Sequence, residues 1–176
     1  MGSDCRAGIG SVSGMKPTVY IETTIPSFLK ARPSKDVVLA GKQEVTKQWW
    51  AQRRQEYELF VSQLVYDEAA RGDNEAAQDR LNALVDISFL ALDEEALGLS
   101  DAIVRAGVIP EKAHTDAGHI ALAARHGMDF LLTWNCRHIA NAEILDRVER
   151  VVAAYGYKLP IICTPDELFG IEDDES

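Results

Sequence analysis

Short apolar segments alternate with longer amphipathic segments along most of this chain. The short segments are rich in β-branched and aromatic residues, which favour β-strands. They lie at residues 17–21, 58–62, 87–92, 130–134 and 159–163. The longer segments repeat apolar residues at the period of an α-helix, as at Ile144, Leu145, Val148 and Val152. They predict helices at residues 37–56, 63–70, 74–84, 94–107, 116–127 and 140–155.

Polar residues suited to helix capping precede four of these helices. Ser62, Asn74, Asp93 and Thr115 each carry a side-chain oxygen that can accept a hydrogen bond from the first helical turn. We therefore expect each of them to be the N-cap of the helix that follows.

Alternation of strands and helices favours a parallel sheet with helices on both faces. The strands are short and apolar, as strands buried on both faces should be. The sequence therefore predicts an α/β fold, a three-layer α/β/α sandwich with a central parallel sheet. The helix-rich stretch 37–84 is expected to form an arm beside the first two strands.

The chain has 176 residues, a length that suits one domain, which we place at residues 15–170. Residues 1–14 are rich in Gly and Ser and lack the apolar core of a secretory signal. We expect a flexible leader or tag remnant there, with Met15 as the natural start. Residues 171–176 carry four acids and are expected to be a disordered tail.

Net charge and cysteine content limit the classes of function. With 18 basic and 28 acidic residues, the net charge of −10 argues against broad affinity for nucleic acid. Cations bound in an acidic pocket would offset part of that charge. Three widely spaced cysteines argue against a disulfide framework and favour a cytoplasmic protein. No apolar run approaches the ~20 residues that span a bilayer, so we expect no membrane association.

Polar residues at the ends of predicted strands are the candidates for chemistry. Glu22 follows the first strand, and Asn135 follows the fourth. Asp116 lies in the first turn of a helix, and Glu68 shares a helix face with the apolar Leu64. In a parallel α/β sheet, ligands bind beyond the carboxyl ends of the strands. These side chains are therefore expected to face one acidic, metal-binding pocket suited to phosphodiester hydrolysis.

Each candidate also has an ordinary structural explanation. Glu22 could be an exposed carboxylate at a strand end, and Glu68 a surface residue of its helix. Asp116 could stabilise the helix dipole, an interaction of about 0.3–1 kcal/mol. Asn135 could be a turn residue or an N-cap. His119 is more typical of a packed or hydrogen-bonding histidine than of a metal ligand.

Beyond these individual residues, the order and spacing of the segments resemble the PIN-domain family, which includes the VapC-type toxins of bacterial toxin–antitoxin pairs. The resemblance covers residues 15–168, although no single segment is specific. The matching segments are Val-Tyr-Ile-Glu-Thr-Thr at 19–24, Ser-Gln-Leu-Val-Tyr-Asp-Glu at 62–68, Thr-Asp-Ala-Gly-His-Ile-Ala-Leu-Ala at 115–123, Phe-Leu-Leu-Thr-Trp-Asn at 130–135 and Ile-Cys-Thr-Pro-Asp-Glu-Leu at 162–168.

The resemblance implies metal-dependent cleavage of RNA at an acidic site that binds Mg²⁺ or Mn²⁺. The four acids of the family fall on Glu22, Glu68, Asp116 and Asn135, which it implies are both catalytic residues and metal ligands. The family usually has Asp at the first position and often at the fourth, so Glu22 and Asn135 depart from the pattern. Supporting or phosphate-contacting roles fall on Thr24, His119 and Thr133. A homodimer, and an antitoxin as partner in a type II pair, are further expectations.

A catalytically weak PIN-like module that binds proteins is the alternative. The net charge of −10 and the loss of a charge at Asn135 favour it. A haloacid-dehalogenase-type phosphatase would need Asp-x-Asp after the first strand, where this chain has Glu22-Thr23-Thr24. Dinucleotide-binding, P-loop and nucleophile-elbow motifs are not found in the sequence.

Overall fold

A computed structural model describes residues 14–170 of the chain. Five strands form one sheet: β1 (Thr18–Ile21), β2 (Glu58–Ser62), β3 (Ser88–Leu90), β4 (Phe130–Leu132) and β5 (Ile161–Cys163). The α-helices of this part of the chain are α1 (Thr24–Lys30), α2 (Val37–Gln52), α3 (Gln63–Ala69), α4 (Asn74–Asn82), α5 (Glu94–Arg105), α6 (His114–Arg125) and α7 (Ala142–Ala154). Three short 3₁₀ turns lie at Arg54–Glu56, Glu111–Ala113 and Pro165–Leu168.

The sheet is parallel throughout, with strand order β3-β2-β1-β4-β5. The chain builds outward from β1 through β2 to β3, and then returns to the other side of β1 to add β4 and β5. The strand order therefore reverses between β1 and β4. In open α/β sheets this switch point opens a crevice at the carboxyl ends of the strands.

The central strand shows why the fold has three layers. Successive side chains of a strand point to opposite faces of the sheet. Val19, Tyr20 and Ile21 of β1 are all fully buried, so both faces of the sheet are covered. The predicted three-layer α/β/α sandwich with a central parallel sheet is confirmed.

Gly118 of α6 lies against Leu64 of α3. A Cβ atom added to Gly118 would lie 2.8 Å from Cδ1 of Leu64. That is closer than two carbon atoms approach without strain, so the Leu64 methyl group would have to shift. Because this methyl group ends a flexible side chain, a small movement of Leu64 would admit the Cβ atom.

Two of the four predicted N-cap residues, Ser62 and Asp93, occupy that position. Asp93 caps α5 by accepting a hydrogen bond from the Ala96 amide at 2.9 Å. The prediction was wrong for Asn74, since Asp73 caps α4. Thr115 does not cap α6 either, because that helix begins one residue earlier, at His114.

Ser62 precedes α3 as predicted but does not cap it with its side chain. Its hydroxyl is instead hydrogen-bonded to the Tyr20 hydroxyl inside the protein. A serine at a helix start can cap the helix or bond to a buried side chain. Here the buried Tyr20 hydroxyl needs a partner, and Ser62 supplies it.

The stretch 37–84 does not form a separate arm. It contains β2, which pairs with β1 inside the sheet. Helix α2 packs on α1 and on the 3₁₀ turn at Pro165–Leu168. Trp49 of α2 is fully buried, and its indole Nε1 donates to the Leu168 carbonyl at 3.1 Å. The indole thus connects α2 to the end of the described chain. Across residues 14–170, no helix is both long and apolar enough to cross a membrane.

Candidate metal site at the carboxyl edge of the sheet

Glu22 lies directly after β1 at the switch point of the sheet and is 3% exposed. Its carboxylate oxygen Oε2 accepts three hydrogen bonds. The donors are the Thr24 amide at 3.1 Å, the Thr24 hydroxyl at 2.5 Å and the Thr133 hydroxyl at 2.7 Å. The first turn of α1 and the end of β4 thus hold the carboxylate from two sides.

The two threonine hydroxyls are oriented by the backbone beyond β4. The Thr24 hydroxyl accepts from the Trp134 amide at 2.8 Å, and the Thr133 hydroxyl accepts from the Asn135 amide at 2.9 Å. Each hydroxyl is therefore free to donate its proton to Glu22. Within residues 14–170, every hydrogen bond to the Glu22 side chain reaches Oε2, so Oε1 remains available to a ligand.

Glu68, on α3, is the second carboxylate of the site, with its side chain 23% exposed. Its Oε2 accepts from the Thr23 hydroxyl at 2.5 Å and from Nε2 of His119 at 2.7 Å. One ligand atom each from Glu22, Glu68 and His119 lie within 4.8 Å of one another, so the two carboxylates are close enough to share a cation beside the imidazole. The structure thus brings two of the four predicted acids together.

His119 is fully buried on α6, and both ring nitrogens have partners. Nε2 faces Glu68, and Nδ1 lies 2.8 Å from the Tyr20 hydroxyl. Burial opposes a charged imidazole, but the hydrogen bond to Glu68 and the negative charges of Glu22, Glu68 and Asp116 raise the pKa of His119. A packed, hydrogen-bonding histidine is what its sequence position suggested.

The pKa of Glu68 moves in the opposite direction. Burial of its carboxyl would raise this pKa, but the hydrogen bond from His119 and the charge of His119 outweigh burial and lower it, with help from Thr23 and Arg71. Both shifts favour an ionised Glu68 beside a protonated His119. A carboxylate in this state is the form that binds a cation.

Asp116 lies one turn before His119 on α6 but does not join the three-residue group. Its Oδ2 is 2.9 Å from Nδ1 of His138, and the two side chains are 18% and 20% exposed. Oδ1 of Asp116 accepts no hydrogen bond from residues 14–170. One oxygen of the carboxylate is thus held by a neighbouring imidazole while the other remains open.

Asn135 begins the turn that follows β4. Its side-chain Oδ1 accepts from the His138 amide at 3.1 Å, and its carbonyl accepts from the Ile139 and Ala140 amides. This is the turn-forming role that asparagine often has. This turn places the His138 ring against Asp116.

Three parts of this arrangement were missed or incompletely predicted from the sequence. Tyr20 was interpreted only as part of the first strand and Ser62 only as a cap, and Thr23 was assigned no role in the site. A signal for Tyr20 existed, because a tyrosine in a doubly buried strand needs a polar partner for its hydroxyl. Cys163 of β5 is buried, and burial raises its pKa to about 12.

Comparison with known proteins gives similarities of fold only. The sequence matches no protein-family model and no curated protein. One similar solved structure is VapBC2 from Rickettsia felis bound to a DNA fragment from its promoter. It has 12% identity and a TM-score of 0.49, and the match covers 84% of this chain and 98% of that one.

Another similar structure is VapC20 from Mycobacterium tuberculosis, a toxin that cleaves the sarcin–ricin loop. It has 14% identity and a TM-score of 0.49, with 73% of this chain and 97% of that one covered.

Proposed function

We propose that this chain is a PIN-type endoribonuclease that uses Mg²⁺ or Mn²⁺ to hydrolyse RNA phosphodiester bonds, and that it is the toxin of a type II toxin–antitoxin pair. One observation carries the proposal. Two carboxylates from separate elements, Glu22 and Glu68, converge with His119 within 4.8 Å at the switch point of the sheet. The motif resemblance supplies the substrate class, RNA.

The donor set suits a hard divalent cation, which prefers oxygen ligands and retains several waters. Glu22 and Glu68 each keep Oε1 clear of hydrogen bonds from residues 14–170. Asp116 would add Oδ1, directly or through water, and Asn135 would add its amide oxygen. His119 would not be a ligand, because an ionised Glu68 can only accept and Nε2 must therefore carry the proton between them.

A bound divalent cation would polarise a phosphoryl oxygen and lower the pKa of a coordinated water. The residues of the chain would fix where that chemistry takes place. Thr24 and Thr133 hold Glu22 in one orientation, and Thr23 and His119 hold Glu68. Preorganised ligands of this kind need little rearrangement when a cation and a phosphate arrive.

The test is a calorimetric Mn²⁺ titration of the wild type and two matched variants. Glu22→Gln removes a charge from the buried site. Glu58→Gln removes the same charge from an exposed position at the start of β2, at the opposite edge of the sheet. We expect saturable binding in the wild type and Glu58→Gln, and an affinity loss of more than about 100-fold in Glu22→Gln, beyond the 10–100-fold typical of supporting residues.

Metal binding alone would leave the reaction untested, so RNA cleavage is the second measurement. Cleavage of a mixed RNA substrate should require added Mn²⁺ or Mg²⁺, stop with a chelator and fail in Glu22→Gln. Cleavage that persists in the chelator would refute the proposed mechanism.

An antitoxin and a homodimer are part of the proposal. Val37 and Val38 at the start of α2 are 85% and 70% exposed. Val85, which precedes the edge strand β3, and Phe89 within β3 are 67% and 53% exposed. Such apolar surface is available to protein partners. Light scattering of the purified chain tests the dimer, and a monomer over a wide concentration range would refute it.

A catalytically weak, protein-binding module is the second candidate function. The net charge of −10 and the internal hydrogen bonds of Asp116 and Asn135 favour it. In that case the wild type would show no saturable Mn²⁺ binding and no metal-dependent cleavage.

A further inference from the structure

Behind Glu68, a continuous row of hydrogen-bonded side chains crosses the buried space between the sheet and α6. The Ser62 hydroxyl lies 2.7 Å from the Tyr20 hydroxyl, which lies 2.8 Å from Nδ1 of His119. Nε2 of His119 lies 2.7 Å from Oε2 of Glu68. Ser62, Tyr20 and His119 are all fully buried.

Hydrogen bonds at both ends hold the imidazole ring in one orientation. Nε2 must donate to the Glu68 carboxylate, which can only accept. Nδ1 has one partner, the Tyr20 hydroxyl. If that hydroxyl were removed, Nδ1 would be buried without a partner, and the ring would lose one of the two contacts that fix its rotation.

Packing alone does not explain this row. Phenylalanine at position 20 and alanine at position 62 would fill nearly the same space without burying two hydroxyls. Buried polar groups lose their hydration and at best recover it through good hydrogen bonds. One end of the row is the partially exposed Glu68 carboxylate. The other end is the buried hydroxyl of Ser62, the last residue of β2.

We propose that Tyr20, anchored by Ser62, is a positioning residue that holds His119 and through it directs the Glu68 carboxylate toward the bound cation. This inference rests on the proposed function. It deepens that function by assigning a supporting role to two residues of the sheet that do not themselves reach the cation.

The test compares Tyr20→Phe with Tyr66→Phe. The control removes a hydroxyl of the same kind on α3, the helix that carries Glu68, where it donates to the Leu84 carbonyl at 3.1 Å. Residues that orient metal ligands typically contribute 10–100-fold to metal affinity. We expect Tyr20→Phe to weaken Mn²⁺ binding about tenfold in calorimetry and Tyr66→Phe to leave it unchanged.

A second readout does not depend on the metal. Nitrogen-15 NMR of the metal-free protein reports the hydrogen bonds of each histidine ring nitrogen. Tyr20→Phe should shift the Nδ1 signal of His119, and Tyr66→Phe should not. The NMR shift tests the contact between Tyr20 and His119, and the affinity tests its role. A role confined to stability would lower the melting temperature of Tyr20→Phe without weakening Mn²⁺ binding.

The outcomes separate the two proposals. Wild-type binding of Mn²⁺ that Tyr20→Phe does not weaken would overturn the positioning role and leave the proposed function intact. Absence of wild-type binding would overturn both. If Tyr20→Phe fails to fold, Ser62→Ala takes its place, with a smaller affinity loss of about three- to fivefold expected and unchanged affinity refuting the inference.

Discussion

The candidate site has two halves that are held in different ways. The threonine-held half comprises Glu22 and Glu68, whose carboxylates are fixed by threonine hydroxyls and His119. The turn-held half comprises Asp116 and Asn135, which bond to His138 on a turn. The carboxylates of the first half are oriented by side chains of separate elements, whereas Asp116 and Asn135 are engaged with one neighbouring turn.

The difference has a thermodynamic meaning. The Glu22 carboxylate takes part in the folding of the sheet edge, because backbone amides beyond β4 bond to the two threonines that hold it. The Asp116 carboxylate bonds only to the His138 ring among residues 14–170 and carries less of the fold. Substitutions in the first half should therefore change stability and metal affinity together, and those in the second half should change affinity alone.

Asp116→Asn is expected to change metal affinity strongly while changing the stability of the fold little. Loss of a ligand charge should weaken Mn²⁺ binding by at least about tenfold, by analogy with the effect of supporting residues. The free energy of unfolding in urea should change by less than about 1 kcal/mol, because asparagine keeps an acceptor oxygen for the His138 ring. A larger loss of stability would show that Asp116 supports the fold as Glu22 does.

Thr133→Val should affect both quantities, because it removes a donor to Glu22 and the acceptor of the Asn135 amide. Unpaired buried groups cost about 1–3 kcal/mol, so unfolding free energy should fall by that amount. Metal affinity should fall about tenfold. Thr18→Val, at the opposite end of β1 beside Asp129, is the control for stability without a change in metal affinity.

Removal of the His138 ring, which competes with the cation for Asp116, should strengthen metal binding. His138→Ala frees Oδ2 of Asp116, and a hydrogen bond of this kind has a net value of about 0.5–1.5 kcal/mol. We expect Mn²⁺ affinity to rise by a few-fold in calorimetry. Unchanged or weaker binding would mean that His138 does not compete with the cation.

The smallest effect is expected for Asn135→Asp. Aspartate can keep the hydrogen bond to the His138 amide, as it is an equally good capping residue, while it adds a negative charge. A partly exposed charge pair contributes up to about 1 kcal/mol, so Mn²⁺ affinity should rise by roughly two- to fivefold. Weaker binding would show that Asn135 does not face the cation.

Residue patterns alone predicted the layers of the fold and the edge of the sheet at which Glu22 lies. The helix face shared with Leu64 indicated that Glu68 points inward. Of the four residues predicted to face one pocket, the structure brings Glu22 and Glu68 together. Helix starts were less accurate, since Asp73 and Asn74 are both good caps and only the observed backbone distinguishes them. When two neighbouring residues can both cap a helix, tertiary contacts determine which of them does.

The pairings inside the site could not be predicted in the same way. Whether the Tyr20 hydroxyl reaches His119 depends on how α6 lies over the sheet, 99 residues further along the chain. Periodicity defines the face on which a side chain lies but not a contact of 3 Å. The partner of Asp116 was equally inaccessible, because His138 sits on an irregular turn with no repeating pattern.

The hydrogen bond between Thr133 and Glu22 spans 111 residues of the chain. Synthesis proceeds from the amino terminus, so β1 and β2 leave the ribosome long before the residues that orient Glu22. A nascent or truncated chain that ends before Thr133 contains both carboxylates without the hydroxyl and backbone framework that holds them. The site is thus completed late in synthesis, which would delay any hydrolytic activity until most of the domain has been made.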